Sequence, residues 1–265
     1  MKHANYSKEH ILYLKKKRRK SVLINVARIG LLVAFLGIWE LLAQLKVIDP
    51  FITSCPSRVA ITIGNLYKNG TLFTHIGITL METLVGFIIA VALGYTVAVL
   101  LYMSDGVCKV LEPYIVVLNS LPKIALGPLI IIWFGTGYSA IIFMTVLVAV
   151  IVCVMNTLTG FLTVDKTMLT LMRAMGAKKS AVLFKLVIPS SLPSLINTLK
   201  VAVGLAWIGS IMGEYVASRA GLGYLIVYGG QVLKLDLVMT STFILCILAG
   251  GMYGIITLIE KKLTK

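Results

Sequence analysis

Six stretches of the chain, at roughly 24–45, 77–103, 111–134, 138–162, 195–217 and 238–259, are apolar over 20 residues or more. A bilayer core of about 30 Å is crossed by about 20 residues of helix. An open strand would leave backbone groups unpaired in hydrocarbon, so each stretch is a helix. Composition agrees: 58% of the 265 residues are hydrophobic, only 13% are charged, and mean hydropathy is +0.96. Roughly a quarter of a soluble domain is charged. The pattern therefore predicts an all-α integral membrane protein with six transmembrane helices.

The net charge of +15 is concentrated next to these stretches. Lys15-Lys16-Lys17-Arg18-Arg19-Lys20 directly precedes the first one. With the N-terminus inside, 18 of the 25 Lys and Arg fall in inner segments and five in outer ones. The positive-inside rule then places both termini in the cytoplasm. Residues 1–23 form a basic cytoplasmic tail and 24–265 a transmembrane domain. The run from Val22 to Leu45 is too long for a signal peptide and lacks a small-residue cleavage site, so it is a retained helix. No basic surface interleaved with aromatics points to nucleic acid. The four cysteines and three histidines are scattered without metal-ligand or disulfide spacing, so no metal site is expected.

Two connections are long enough to matter. Residues 46–76 lie outside and carry a turn-rich piece, Asp49-Pro50 to Cys55-Pro56-Ser57. Residues 160–192 lie inside. There, Met168, Leu171, Met172 and Met175 recur at helical spacing, Gly176 breaks the pattern, and 178–187 resumes it with basic residues. Pro189 and Pro193 mark the return to the membrane. Such a helix–glycine–helix element either lies on acidic lipid or docks into a groove of a cytoplasmic partner.

Within the fifth stretch, Ala202, Ala206, Gly209 and Gly213 share a narrow face suited to close helix packing, and Gly250-x-x-x-Gly254 offers the same spacing on the sixth. Lys200, Trp207 and Glu214, seven apart, share another face. Lys200 and Glu214 lie about 21 Å apart, too far to pair with one another. This face either borders a translocation path or holds charges that snorkel to the two interfaces. Lys123 sits mid-membrane between Pro122 and Gly127-Pro128, where two prolines predict a broken helix. It either meets an anionic solute in a cavity, pairs with Glu82, or caps carbonyls freed by the break.

No phosphate-binding loop is present: Gly176-Ala177-Lys178-Lys179-Ser180 lacks the second glycine five positions upstream and the intact Gly-Lys-Ser. Nor is there a Gly-x-Ser-x-Gly element or other hydrolytic constellation, which disfavours a membrane-embedded enzyme. A self-sufficient secondary transporter would show matching broken helices in two halves. The broken third stretch has no counterpart.

From Leu169 to Ile226 the chain resembles the permeases of binding-protein-dependent ATP-binding-cassette (ABC) importers. Gly176, nine residues and Leu186-Val187-Ile188-Pro189 are similar to the end of their cytoplasmic EAA loop. Leu205-Ala206-Trp207-Ile208, Gly213-Glu214 and Gly221-Leu222-Gly223-Tyr224-Leu225-Ile226 are similar to the nitrate/sulfonate/taurine branch, as are Thr79-Leu80, Gly86-Phe87, Gly94, Leu121-Pro122 and Trp133-Phe134-Gly135. The resemblance covers about 75–260. The chain departs from it at Thr170-Leu171-Met172, where the loop's Glu-Ala-Ala would stand; Arg173 is a substitute contact.

The resemblance implies a MetI-like ABC importer permease fold in a bacterial inner membrane. It implies that Met172, Arg173, Ala174, Gly176, Ala177, Lys178 and Pro189, within the coupling loop 160–192, engage a separate ATPase. ATP would be bound by that partner, with no cofactor in this chain. An extracytoplasmic binding protein would deliver a small solute, anionic like a sulfonate, taurine or nitrate, or else a vitamin precursor or other nitrogen compound. One six-helix chain makes half a passage, so a homodimer is expected.

Overall fold

The computed structural model describes residues 8–263, which are helical wherever they are regular. Helix α1 (Lys8–Gln44) continues through the basic cluster into the first apolar stretch. Two short helices, α2 (Pro50–Thr53) and α3 (Pro56–Lys68), precede α4 (Leu72–Met103). After α5 (Asp105–Ser120) come a 3₁₀ turn (Lys123–Leu126), α6 (Gly127–Phe134) and α7 (Tyr138–Leu162). The next connection holds α8 (Lys166–Ala174), α9 (Lys179–Val182), a π turn (Leu183–Val187) and α10 (Ile188–Ser190). Helices α11 (Leu192–Ala217), α12 (Leu222–Gln231) and α13 (Leu235–Leu263) complete the chain.

The core is α7 packed between α4 and α11, and small residues set how close the three come. A Cβ on Gly86 would fall 2.5 Å from Thr145 Cγ2, one on Gly94 would strike Cys153, and Tyr102 meets Phe161 edge-on. Each pair is separated by 59 residues, so α4 and α7 run parallel. On the other side, a Cβ on Gly209 would stand 2.6 Å from Thr145 Cα, one on Gly213 3.0 Å from Ile141 Cα, and one on Gly160 2.6 Å from Ser194 Oγ. These numbers rise on α11 as they fall on α7, so α11 is antiparallel. Ala202 and Ala206 are buried on the same face. In lipid, with no hydrophobic drive between helices, such backbone approach supplies the packing. Gly250 and Gly254 differ: nothing lies within 4 Å of a Cβ at either, so their spacing marks no contact within the chain.

The third apolar stretch is broken as its prolines predict. Leu121 turns extended before Pro122 (ψ 137°), and α5 meets the following helical segment at 79°. A pre-proline residue avoids the helical region, and the proline ring cannot continue the ladder. Because α4 and α7 run parallel, the bent pair must carry the chain from the C-terminal end of α4 back to the N-terminal end of α7. It thus acts as a sixth span beside the five helices that are long and apolar enough alone.

One end of the bundle gathers Tyr102, Asp105, Phe161 and α8 to α10. The opposite end gathers α2, α3, α12 and the turn 135–137. There Ser54 donates to Asp236 (2.7 Å), and Arg58 pairs with the same carboxylate at 3.6 Å. Helix α1 touches the bundle near its C-terminal end, where Trp39 stacks on Phe243 and Glu40 accepts from Ser57. Its most apolar 18-residue window is entirely unburied. Helices α3 and α12 are structure the six apolar stretches do not anticipate, and α4 starts five residues earlier than its stretch, at Leu72.

Candidate functional site

The segment between α7 and α11 is a built element. Asp165 opens α8, its Oδ1 accepting from Thr167 N–H at 2.8 Å. At the other end Gly176 adopts φ +78°, Ala177 N–H reaches Met172 O (3.0 Å), and Gly176 N–H reaches Arg173 O (2.9 Å). This reciprocal pair is a Schellman cap, which needs a left-handed residue where the helix stops. Leu169, Met172 and Ala177 pack inward on a cluster around Phe161, Val182, Leu183 and Val187. Met168 (50% exposed), Leu171 (56%) and Met175 (76%) face out, spaced by three and four. The apolar set therefore divides: Met172 anchors the element and the other three form a free stripe. Arg173, Ala174, Gly176, Lys178 and Pro189 are exposed.

Beyond Lys178 the chain climbs back through the π turn. Ile188 N–H bonds to Leu183 O, one residue wider than α geometry, just before Pro189, whose ring would crowd an α-helical carbonyl four residues back. Lys179 Nζ holds Asp105 Oδ1 at 2.9 Å and sits 5.8 Å above the Tyr102 ring. The partners are solvent-exposed, so this link orients the element more than it stabilises it. Neither Asp105 nor Lys179 stood out in sequence, being 74 residues apart.

The remaining candidates are dispersed. Lys123 Nζ donates to Asn119 O (2.9 Å), a carbonyl at the end of the broken helix. Lys200 Nζ meets Glu260 Oε2 at 2.7 Å and lies over the Tyr253 ring. Trp207 is buried in the cluster joining α11 to α12 and α13, and Val203 and Ser210 are buried with it. Glu214 reaches the start of α12. Three of the unpaired N–H groups there are met by side chains: Gly221 N–H by His75 Nδ1 (3.0 Å), Leu222 N–H by Thr79 Oγ1 (2.8 Å), and Tyr224 N–H by Glu214 Oε2 (3.1 Å). An acceptor, anionic ones above all, suits a helix N-terminus. His75 and Thr79 of α4 and Glu214 of α11 thus hold the start of α12 between them.

Glu82 of α4 lies beside Glu214 rather than beside Lys123. Each carboxyl is 1% exposed. A charge in this setting costs roughly 2.5–3.5 kcal/mol on insertion scales, which is tolerated where a partner, a proton or a ligand meets it. Glu82 was legible only as the single charge in an apolar stretch; its neighbour 132 residues away was not.

Residues 90–265 match the family described as "Binding-protein-dependent transport system inner membrane component". The chain belongs to that family. Among its relatives, the taurine transport system permease of Escherichia coli (strain K12) is 27% identical over 241 residues, 89% of this chain and 88% of that one. A formylaminopyrimidine transport permease of Halalkalibacterium halodurans is 30% identical over 187 residues, 71% and 74% of the two chains. A chain of the inward-facing MetNI methionine ABC transporter superposes with TM-score 0.66 at 23% identity, over 74% of this chain and 97% of that one. The permease fold is therefore that of ABC importers. As a family member with six apolar crossings, the chain is a multi-pass membrane component of a transport system.

Proposed function

We propose that this chain is the permease subunit of an ATP-driven ABC importer, and that α8 to α10 dock into a separate cytoplasmic ATPase. One observation carries the reading: α8 is capped at both ends and anchored on Phe161 and Leu183, yet turns Met168, Leu171 and Met175 out to solvent. A rigid helix with a free apolar stripe fits helix-in-groove recognition. ATP would sit on that partner; this chain would carry no cofactor and catalyse no hydrolysis. The docking end would then be cytoplasmic, with both termini, and the α3–α12 end would receive a solute-binding protein. Two copies would complete the passage.

The solute would be a small one carried by this branch. Relatives named for aliphatic sulfonates, taurine and formylaminopyrimidine support that range. Lys123 and Lys200, the cations expected to favour an anion, are engaged within the chain by Asn119 and Glu260. We therefore assign them to structure, Trp207 to packing, and keep Glu214 at the solute end. The test is disulfide or bifunctional crosslinking from Cys placed at Met175 in vesicles carrying the whole importer. Capture of an ATPase chain is expected; uptake driven by an ion gradient with no ATPase present would overturn the reading.

A further inference from the structure

The three acceptors at the start of α12 differ in chemistry. Thr79 Oγ1 and Glu214 Oε2 are oxygens, whereas Gly221 N–H is met at 3.0 Å by an imidazole nitrogen, His75 Nδ1. An imidazole accepts only while the ring is neutral; once protonated it carries N–H on both nitrogens and can only donate. In this geometry His75 is therefore neutral, with its proton on Nε2. The ring is half-buried and stacks against Tyr224 of α12, their centroids 6.4 Å apart. Water reaches it, and histidine is the side chain that ordinarily changes charge between about pH 5 and 8.

A proton on His75 would act twice at this junction. It removes the acceptor of Gly221 N–H, and it sets a positive charge at a helix N-terminus, which disfavours cations. The surrounding groups decide what the charged ring then meets. From α11 comes Glu214, whose carboxylate holds Tyr224 N–H and lies where a Cβ on Gly221 would fall. Glu82, seven residues beyond His75 on α4, lies against Glu214. Arg219 stands two residues before Gly221, and α12 contributes Tyr224 and Tyr228, stacked on one another. Helix α3 contributes apolar Ile63 and Leu66. The acid that shares this helix start with the ring is Glu214. A charged His75 thus draws on the carboxylate that holds Tyr224 N–H and does not restore the lost bond.

We propose that His75 is a pH-responsive clasp on α12: the neutral ring closes the helix start, and the protonated ring releases Gly221 N–H and loosens residues 221–224. On the importer reading this end meets the extracytoplasmic medium, so the pH sensed is the external one. The response belongs to the chain itself and is measured as such.

Full-length permease, purified with its ATPase, is placed in lipid nanodiscs and compared between about pH 7.5 and pH 5. Nitrogen NMR of labelled histidine, with the His75 signal assigned by its loss in His75→Asn, should show a neutral ring protonated on Nε2 at the higher pH and a doubly protonated ring at the lower. Hydrogen exchange of amides 221–224, corrected for the chemical rate, should quicken about fivefold over that range relative to the middle of α7. In His75→Asn a side-chain oxygen takes the place of Nδ1 without titrating, so exchange should stay slow at both pH values. His75→Phe keeps a ring against Tyr224 but offers no acceptor, and should exchange fast at both. A ring still neutral at pH 5, a ring that gains its proton with no change in exchange, or an acid response that survives in His75→Asn would overturn the proposal. Failure of an ATPase to associate would instead count against the importer reading, and the same measurements on the lone permease would still decide the clasp.

Discussion

Gly176 owes its place to backbone conformation alone. A Cβ there would meet nothing within 4 Å, but at φ +78° any other L-residue is strained by about 1–2 kcal/mol. Gly176→Ala should therefore loosen the α8 cap without disturbing membrane insertion. ATP hydrolysis by the assembled importer should persist while solute uptake falls severalfold; equal uptake would remove the cap from the mechanism. Gly209 is the opposite case, constrained by space. A methyl group would meet Thr145 Cα at 2.6 Å, backbone that cannot swing aside, and overpacking costs about 1–3 kcal/mol. Thermal unfolding in detergent should show Gly209→Ala melting several degrees lower and Gly250→Ala unchanged. Sequence spacing flagged both Gly209 and Gly250, and only the neighbouring helix separates them. A motif fixes which residues share a face, not what that face meets. The same limit hid Glu82 beside Glu214.

The elements divide in legibility along physical lines. Long apolar helices are visible because hydrocarbon admits little else, and the broken third span is visible because proline removes a backbone donor. Helix α3 escapes a search for apolar runs: Arg58, Asn65 and Lys68 keep it at the interface. Helix α12 is only ten residues long, and its start is completed by side chains from α4 and α11 rather than by its own sequence. In α8 the period was legible but its division was not, since Met172 and Leu171 differ only in which side faces Phe161. That division makes a prediction. Leu171→Glu, on the exposed stripe, should leave the permease folded and melting as before, yet reduce ATPase co-purification at least tenfold. Met172→Ser, on the anchored side, should lower the melting temperature instead. Loss of ATPase in both variants with unchanged melting would mean that the stripe is not the docking face.

For the molecule as a whole, the direction of α4 relative to α7 decides the topology. Gly86 with Thr145, Gly94 with Cys153 and Tyr102 with Phe161 keep one register along two parallel helices, so the chain between them has to return across the bilayer. Were the 79° bend a re-entrant loop, Met103 and Tyr138 would emerge on one face, and α4 and α7 would be antiparallel. Six crossings would put both termini on a single side, and on the proposed reading the excess of Lys and Arg in the segments on that side makes it the cytoplasmic one. In a variant lacking the four native cysteines, Cys at Lys178 should react with a membrane-impermeant maleimide only in inside-out vesicles. Cys at Asn69, between α3 and α4, should react only in intact spheroplasts. Reporter fusions at either terminus should both be active in the cytoplasm. Termini on opposite faces would overturn the parallel register of α4 and α7 as a whole, which paired cysteines at Tyr102 and Phe161, next to the proposed docking element, test directly.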